Sequence, residues 1–392
     1  MTEKAPPDVA ESRRSMQILR YACVRLLEIS AGVLVRIADS QTKVALSRDV
    51  WNLAQAADHI GRRLPGLRSS AEAMTPVAGY AEFTNGLIRI SDPAEQYDLL
   101  VSQAFPELRD VVCLWQARHD QLADEASVSC LKSVAEQLDK LTLPTGGAAS
   151  GGRRELARGI EGLDRDEQIP PPLSALESIP RRPGREAGLT EGTSQASGLV
   201  RYLHDMIFGI EICAAEICAA LIAHHPEAPW GLRYDMAKQV RDEGRHFELI
   251  ANRISELGGQ IGDHPIKFDV WDKFTLGRTL PERINIEQRM GEGIGLDGGM
   301  MIYRALKKMG DERTALLFDY INADEVTHVG NGNRWLRELL GSDEAVAALD
   351  AETLRLLAAA NWPTASPMPL NVEDRILAGF TEAELAELRP DA

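Results

Sequence analysis

The sequence is poor in aromatic residues, in positive charge and in organised cysteine. Phe, Trp and Tyr make up 5% of the 392 residues. Ala- and Leu-rich segments dominate instead, which favours helix. Lys and Arg number 43 against 59 Asp and Glu, a formal charge of −16. That balance disfavours nucleic-acid backbones and anionic membrane surfaces, both of which call for basic faces. The five cysteines (Cys23, Cys113, Cys130, Cys213 and Cys218) show neither metal-finger nor disulfide spacing. An odd count without a signal-peptide pattern predicts a reducing cytoplasm. No apolar run reaches membrane-spanning length. Hydrophobic residues still amount to 44%, enough for sizeable cores in a chain of two or three domains.

A doubled pattern is present. Glu211 is followed 32 residues later by Glu243, and Glu243 three residues later by His246. Glu292 is followed 33 residues later by Glu325, and Glu325 three residues later by His328. An aspartate precedes each pair, as Asp242-Glu243 and Asp324-Glu325. Positions i and i+3 share one helix face, so each pair aims a carboxylate and an imidazole at one point. Two single glutamates and two such pairs are the ligand set of a dinuclear carboxylate site inside a four-helix bundle. One Glu-x-x-His would be weak evidence, since exposed helices are rich in Glu; the doubling carries the argument. The alternative, two solvated helices with chance charges, conflicts with the apolar surroundings. Met236, Ala237, Val240, Phe247 and Ile250 flank the first pair, and Leu316, Leu317, Ile321 and Val329 the second. Unpaired buried carboxylates are costly, and a metal pair offsets that cost.

The rest of the chain reads as helical. Residues 1–14 are polar and predicted disordered. Apolar spacing predicts helices over 15–39 and 47–64, the latter with Ser47 as N-cap and Pro65 past its end. Residues 65–94 read as irregular, followed by helices over 94–119 and 120–142 in which Pro106 kinks the first or marks its start. Residues 15–142 thus form a helical domain without metal ligands. It is either unrelated to the metal-binding bundle or a degenerate copy of that bundle, with Glu28 matching Glu211, Asp58 and His59 matching Asp242 and Glu243, and Asp124-Glu125 matching Asp324-Glu325. In either case His59 is no ligand. Residues 143–194, rich in Gly, Pro and Arg, read as a linker or wrapping arm. The metal bundle spans 195–341, with helices over 194–225, 234–257, 281–309 and 312–340. A segment at 259–280 carries Trp271 and Phe274 and can cap the site. Residues 342–392 form a helical tail, with one helix after Pro363 and a capping box at Thr381-Glu384.

Around Glu211, at about 100° per residue, His204 and Cys218 share its face, while Glu216 points about 140° away and reads as structural. Glu292 lies among Gly291, Gly293, Gly295, Gly298 and Gly299. Such a helix should be irregular. Its glycines either leave space for a substrate beside the ligand or serve close helix packing. Glu287 competes with Glu292 as a ligand, but the distance from Glu292 to Glu325 matches that of the first repeat.

These residues resemble the ferritin-like diiron carboxylate superfamily, which includes bacterioferritins, ribonucleotide reductase small subunits and bacterial multicomponent monooxygenases. More closely, the chain resembles a ferritin-like family known only as a domain of unknown function. The resemblance is carried by Leu203-His204 ahead of Ile210-Glu211-Ile212, by Asp242-Glu243-Gly244-Arg245-His246, by Glu292 through Asp297, by His328 through Trp335, and by Ala378 through Glu384. It extends over roughly residues 165–388. The small residues Gly293, Gly298 and Gly299 depart from it.

Hard oxygen ligands with two imidazoles suit iron or manganese. Glu243 and Glu325 are the expected bridges, Glu211 and Glu292 the more terminal ligands, and His246 and His328 take one metal each. Asp242 and Asp324 lie at the offset needed to accept the free ring N–H of the opposite histidine. Arg245 can pair with one of them, and His204 belongs to the surrounding shell. Tyr202, Tyr234, Tyr303 and Tyr320 are further hydrogen-bonding or radical candidates, none assigned a role. The resemblance implies two iron ions, dioxygen activation and oxidation of a small organic substrate, with an electron donor as partner; a homodimer is compatible with it. A dimanganese catalase-like enzyme, a tRNA-modifying hydroxylase and a non-enzymatic iron-binding protein are the competing expectations.

Overall fold

A computed structural model of the chain describes residues 5–142, 196–265, 269–363 and 368–388. Every regular element among them is helical. The chain divides into two compact units, one of Met1–Glu177 with Cys218–Arg241, the other of Ser178–Ile217 with Asp242–Ala392. The predicted linker at 143–194 lies outside the described residues.

In the first unit, α1 (Val9–Arg36), α2 (Ser40–Arg63), α5 (Phe105–Arg118) and α6 (Glu125–Leu138) pack together, with the shorter α3 (Ala78–Ile88) and α4 (Pro93–Leu99) at their edge. Helix α1 begins earlier than its apolar spacing predicts, because Asp8 caps it by accepting the Glu11 N–H at 2.8 Å. Likewise α2 starts after Asp39, which accepts from Thr42 N at 2.7 Å. Ser47 is no cap; it is buried inside the helix and donates to Val44 O at 2.8 Å. The stretch expected to be irregular holds α3 and a short 3-10 turn, Leu64–Leu67. Pro106 falls at the second position of α5, directly after a π-helical segment, Leu100–Ala104, that continues from α4.

Glu28 is buried in this unit and accepts from Arg25 Nη1 at 3.1 Å and Arg233 Nη1 at 2.6 Å. Two guanidinium groups thus balance the position matched to Glu211. Asp58 accepts the Trp230 indole N–H at 3.2 Å and pairs with Arg62 at 2.6 Å. Asp124 is the N-cap of α6, with Glu125 exposed in its first turn, whereas Asp324 lies mid-helix.

The second unit is built on α7 (Ala196–Met206), which runs through a π-helical turn into α8 (Ile212–His224), of which it holds the part up to Ile217, on α9 (Trp230–Glu256) from Asp242 onward, and on α12 (Glu292–Met309) and α13 (Glu312–Leu340). The short helices α10 (Asp269–Phe274) and α11 (Leu280–Ile284) precede α12, and α14 (Asp343–Ala359), α15 (Val372–Leu377) and α16 (Glu382–Glu387) follow α13. The tail beyond Pro363 therefore holds two helices, not one. Thr381 and Glu384 form the expected reciprocal capping box. Residues Ser197–His224 make a helix long and apolar enough to cross a bilayer, contrary to the reading of the bare sequence, but 89% of its apolar window is buried within the fold. It is a core helix.

Candidate metal centre

Two of the four helices carrying the paired motif are locally distorted at their lone glutamates. A π-helical segment covers Ile207–Glu211 and ends on Glu211; a second covers Asn285–Gly291 and ends just before Glu292. A π turn spans one residue more than an α turn, and such insertions favour functional sites. Each segment has a glycine shortly before the glutamate, Gly209 and Gly291, the one sequence signal that foreshadows them. Helix α10 packs against both π segments, with Trp271 and Phe274 buried against each other at 5.6 Å between ring centroids.

The structure brings Glu211, Glu243, His246, Glu292, Glu325 and His328 together, all buried. Among the described residues, two groups present ligand atoms within 4.8 Å of one another: Glu211, Glu243, His246 and Glu325, and Glu243, Glu292, Glu325 and His328. Glu243 and Glu325 belong to both groups. Glu243 turns Oε2 to His246 Nδ1 at 3.2 Å and Oε1 to His328 Nδ1 at 3.2 Å. Glu325 turns Oε1 to His246 Nδ1 at 3.6 Å and Oε2 to His328 Nδ1 at 3.1 Å. Each central carboxylate divides its oxygens between the two imidazoles. On the flank, Glu211 Oε2 lies 3.3 Å from His246 Nδ1.

The outer ring nitrogens face the aspartates of the opposite helices. His246 Nε2 lies 3.1 Å from Asp324 Oδ2, and His328 Nε2 lies 3.4 Å from Asp242 Oδ2. Arg245 donates to Asp324 and comes within 3.8 Å of Asp242. This crossed pairing leaves Nδ1 of each ring as the inward ligand atom.

The electrostatics are those of a crowded acidic core. Burial, then the neighbouring carboxylates against the pull of His246, raises Glu211 to about 7. Burial and the charges of Glu325, Glu243 and Glu287 hold Glu292 well above the usual carboxylate range. Burial would raise Glu243 too, but its bonds to His246 and His328 outweigh this and hold it far below. Burial opposes the charged form of both imidazoles, yet the carboxylates around them raise His246 and His328 well above the ordinary histidine value. Protons on these groups do here what cations would do: they neutralise clustered carboxylates.

Three neighbours fall outside the donor groups. His204 Nε2 accepts the Gly262 N–H at 3.0 Å, and its ring packs edge-on to His264. The π turn between His204 and Glu211 advances less per residue than an α-helix, so the two no longer share the face that uniform spacing assigns them. Glu216 and Glu287 are buried, and burial followed by the charge of Glu243 raises Glu287 to about 8. Among the candidate tyrosines, burial first and then the charges of Glu211 and Asp205 push Tyr202 up.

Three of the glycines near Glu292 face close neighbours. A Cβ on Gly293 would stand 3.1 Å from Arg375 Nη1, and one on Gly298 would stand 3.2 Å from Met368 Cε; one on Gly299 would collide with the Asn322 amide. They serve close packing, the alternative reading of the same residues.

The fold and this cluster define an all-α protein with buried Glu and His groups able to hold metal ions. Residues 153–386 match the family described as "Protein of unknown function (DUF455)", and the chain belongs to that family. It is also similar to an uncharacterized protein of Haemophilus influenzae, 28% identical over 152 residues, which are 38% of this chain and 52% of that protein. The chain thus spans about half the length of that relative. No solved structure matches it.

Proposed function

We propose that the protein is a ferritin-like dinuclear iron enzyme, an oxygenase or oxidase that uses dioxygen to oxidise a small organic molecule. One observation carries this reading: the two oxygens of Glu243 and of Glu325 are divided between His246 and His328. That is the arrangement bridging carboxylates need. Glu211 with His246 would complete one ion's ligands, and Glu292 with His328 the other's. Four carboxylates against two divalent ions leave a near-neutral cluster, which makes burial tolerable. Oxygen and imidazole donors suit iron or manganese. A bound iron pair would supply the electrons that reduce dioxygen.

The chain's own residues prepare the site. Asp242 and Asp324 accept hydrogen bonds from the Nε2–H groups and hold the rings with Nδ1 inward. Arg245 pins Asp324. Burial favours the protonated forms of Glu211 and Glu292 in the metal-free protein, which metal loading would oppose.

The deciding experiment is metal analysis of purified protein, then anaerobic Fe(II) loading and exposure to dioxygen with oxygen uptake and absorption recorded. Two irons per chain and stoichiometric oxygen consumption are expected. Iron-loaded protein inert to dioxygen would overturn the reading. Rapid release of dioxygen from peroxide by manganese-loaded protein would replace it with the catalase-like one.

A further inference from the structure

The two halves of the centre are supported differently. Glu211 leads into α8, where every residue from Ile212 to Ile217 is buried. Glu292 begins a helix with glycine at 291, 293, 295, 298 and 299, and Gly291 and Gly295 are exposed. Glycine gives a helix little resistance to bending. Something outside α12 must hold its first turns.

The C-terminal tail does so. Arg375 of α15, 3% exposed, donates from Nη2 to the Gly293 carbonyl at 2.6 Å. The same guanidinium grips Asp297, fully buried on α12, through Nε at 3.0 Å and Nη2 at 2.8 Å. Asn371, capping α15, donates its backbone N–H to Asp297 at 2.8 Å and its amide to Leu296 O at 3.3 Å. On α13, Asn333 donates to Ala378 O at 2.8 Å. Phe380 lies between two guanidinium groups, Arg289 at 4.6 Å and Arg375 at 5.0 Å. The tail residues Ala378, Phe380 and Leu385 share one apolar cluster with Leu296 and Val329, next in sequence to His328. Of the residues held, Gly293 and Val329 are the chain neighbours of Glu292 and His328. Gly293 leaves the room that Arg375 fills.

We infer that the C-terminal tail completes the metal centre: by holding the Gly293 carbonyl and the Asp297 carboxylate, Arg375 positions Glu292, so the half-site of Glu292 and His328 forms only with the tail docked. This rests on the dinuclear reading above. Arg375 is a positioning residue, since it acts on the centre through α12. A planar fork bonds two acceptors at once, which the lysine ammonium cannot reproduce in one geometry.

The test is anaerobic Co(II) titration of the full-length protein, followed by visible absorption and calorimetry. The wild type should take two Co(II) per chain. Arg375→Met should bind the first equivalent with wild-type affinity and the second at least tenfold more weakly. Gly293→Ala, which crowds Arg375 by a single methyl group, should weaken the second equivalent in the same sense and covers the case in which Arg375→Met fails to fold. Arg375→Lys should fall between. Arg337→Met removes the bonds to Asp343 and Glu384, loosening the tail away from Glu292; it should lower thermal stability and keep both equivalents. A folded Arg375→Met or Gly293→Ala protein that keeps both affinities overturns the inference and leaves the dinuclear reading standing. Equal weakening of both equivalents also overturns it, since that marks a general structural role. A wild type that binds no metal overturns both.

Discussion

Glu287→Gln tests the electrostatic account of the core without touching a proposed ligand. Glu287 is buried beside the cluster but belongs to neither donor group. Burial, then Glu243, raises its carboxyl from 4.5 to about 8, against a downward pull from Lys273. A carboxyl whose folded value lies above its unfolded value binds its proton more tightly in the folded state. Its contribution is therefore complete at pH below 4.5 and is lost as the pH rises through 8. At about 1.4 kcal/mol per pH unit, the metal-free wild type should lose on the order of 3 kcal/mol from this group between about pH 5 and about pH 8. Glutamine does not titrate and loses nothing. Glu243 has the opposite sign and both proteins retain it, so the difference reads position 287 together with its charge coupling to Glu243, Glu292 and Glu325. Urea unfolding of the metal-stripped proteins across this pH range should show the variant gaining on the wild type by about that amount. Two bound dications would draw the Glu287 carboxyl back down, so metal loading should flatten the gain. Parallel pH profiles for the two metal-free proteins would refute the reasoning.

Glu243→Gln and Glu325→Gln should each cost both ions, and Glu211→Gln and Glu292→Gln one ion each, by metal analysis of the purified variants. Asp242→Asn or Asp324→Asn should lower metal affinity about 10- to 100-fold, because the facing imidazole loses the acceptor that orients it; calorimetric titration measures this. Gly299→Ala should destabilise the second unit by ~1–3 kcal/mol, as overpacking does, since its methyl group meets the Asn322 amide; thermal unfolding reads it, and an unchanged transition would contradict the packing role.

Much of the centre is legible in the amino-acid sequence. A helix puts i and i+3 on one face whatever surrounds it, so Glu243 pairs with His246 and Glu325 with His328 by spacing alone. The doubling and the preceding aspartates give the crossed contacts their candidates. The fourth helix, Glu312–Leu340, can be bounded from its sequence because Asp311 and Gly341 are strong end signals. Helix starts at Asp8 and Asp39 escape apolar spacing, because a capping side chain can begin a helix ahead of its apolar stripe.

What the sequence determined alone is local: which residue types recur at which helical spacing, and hence an acidic, imidazole-bearing face on each of two helices. Tertiary structure decided the rest. A π turn shifts the phase of every residue before it, so His204 leaves the Glu211 face although its spacing is right. A glycine is equally consistent with empty space and with a neighbour pressed close, and only the packed chain shows Arg375, Met368 and Asn322 in those places. The tail's hold on Gly293 joins residues 82 positions apart, beyond the reach of any helical period. Whether two carboxylates bridge depends on where four oxygens point relative to two imidazoles, which is a property of helices packed together.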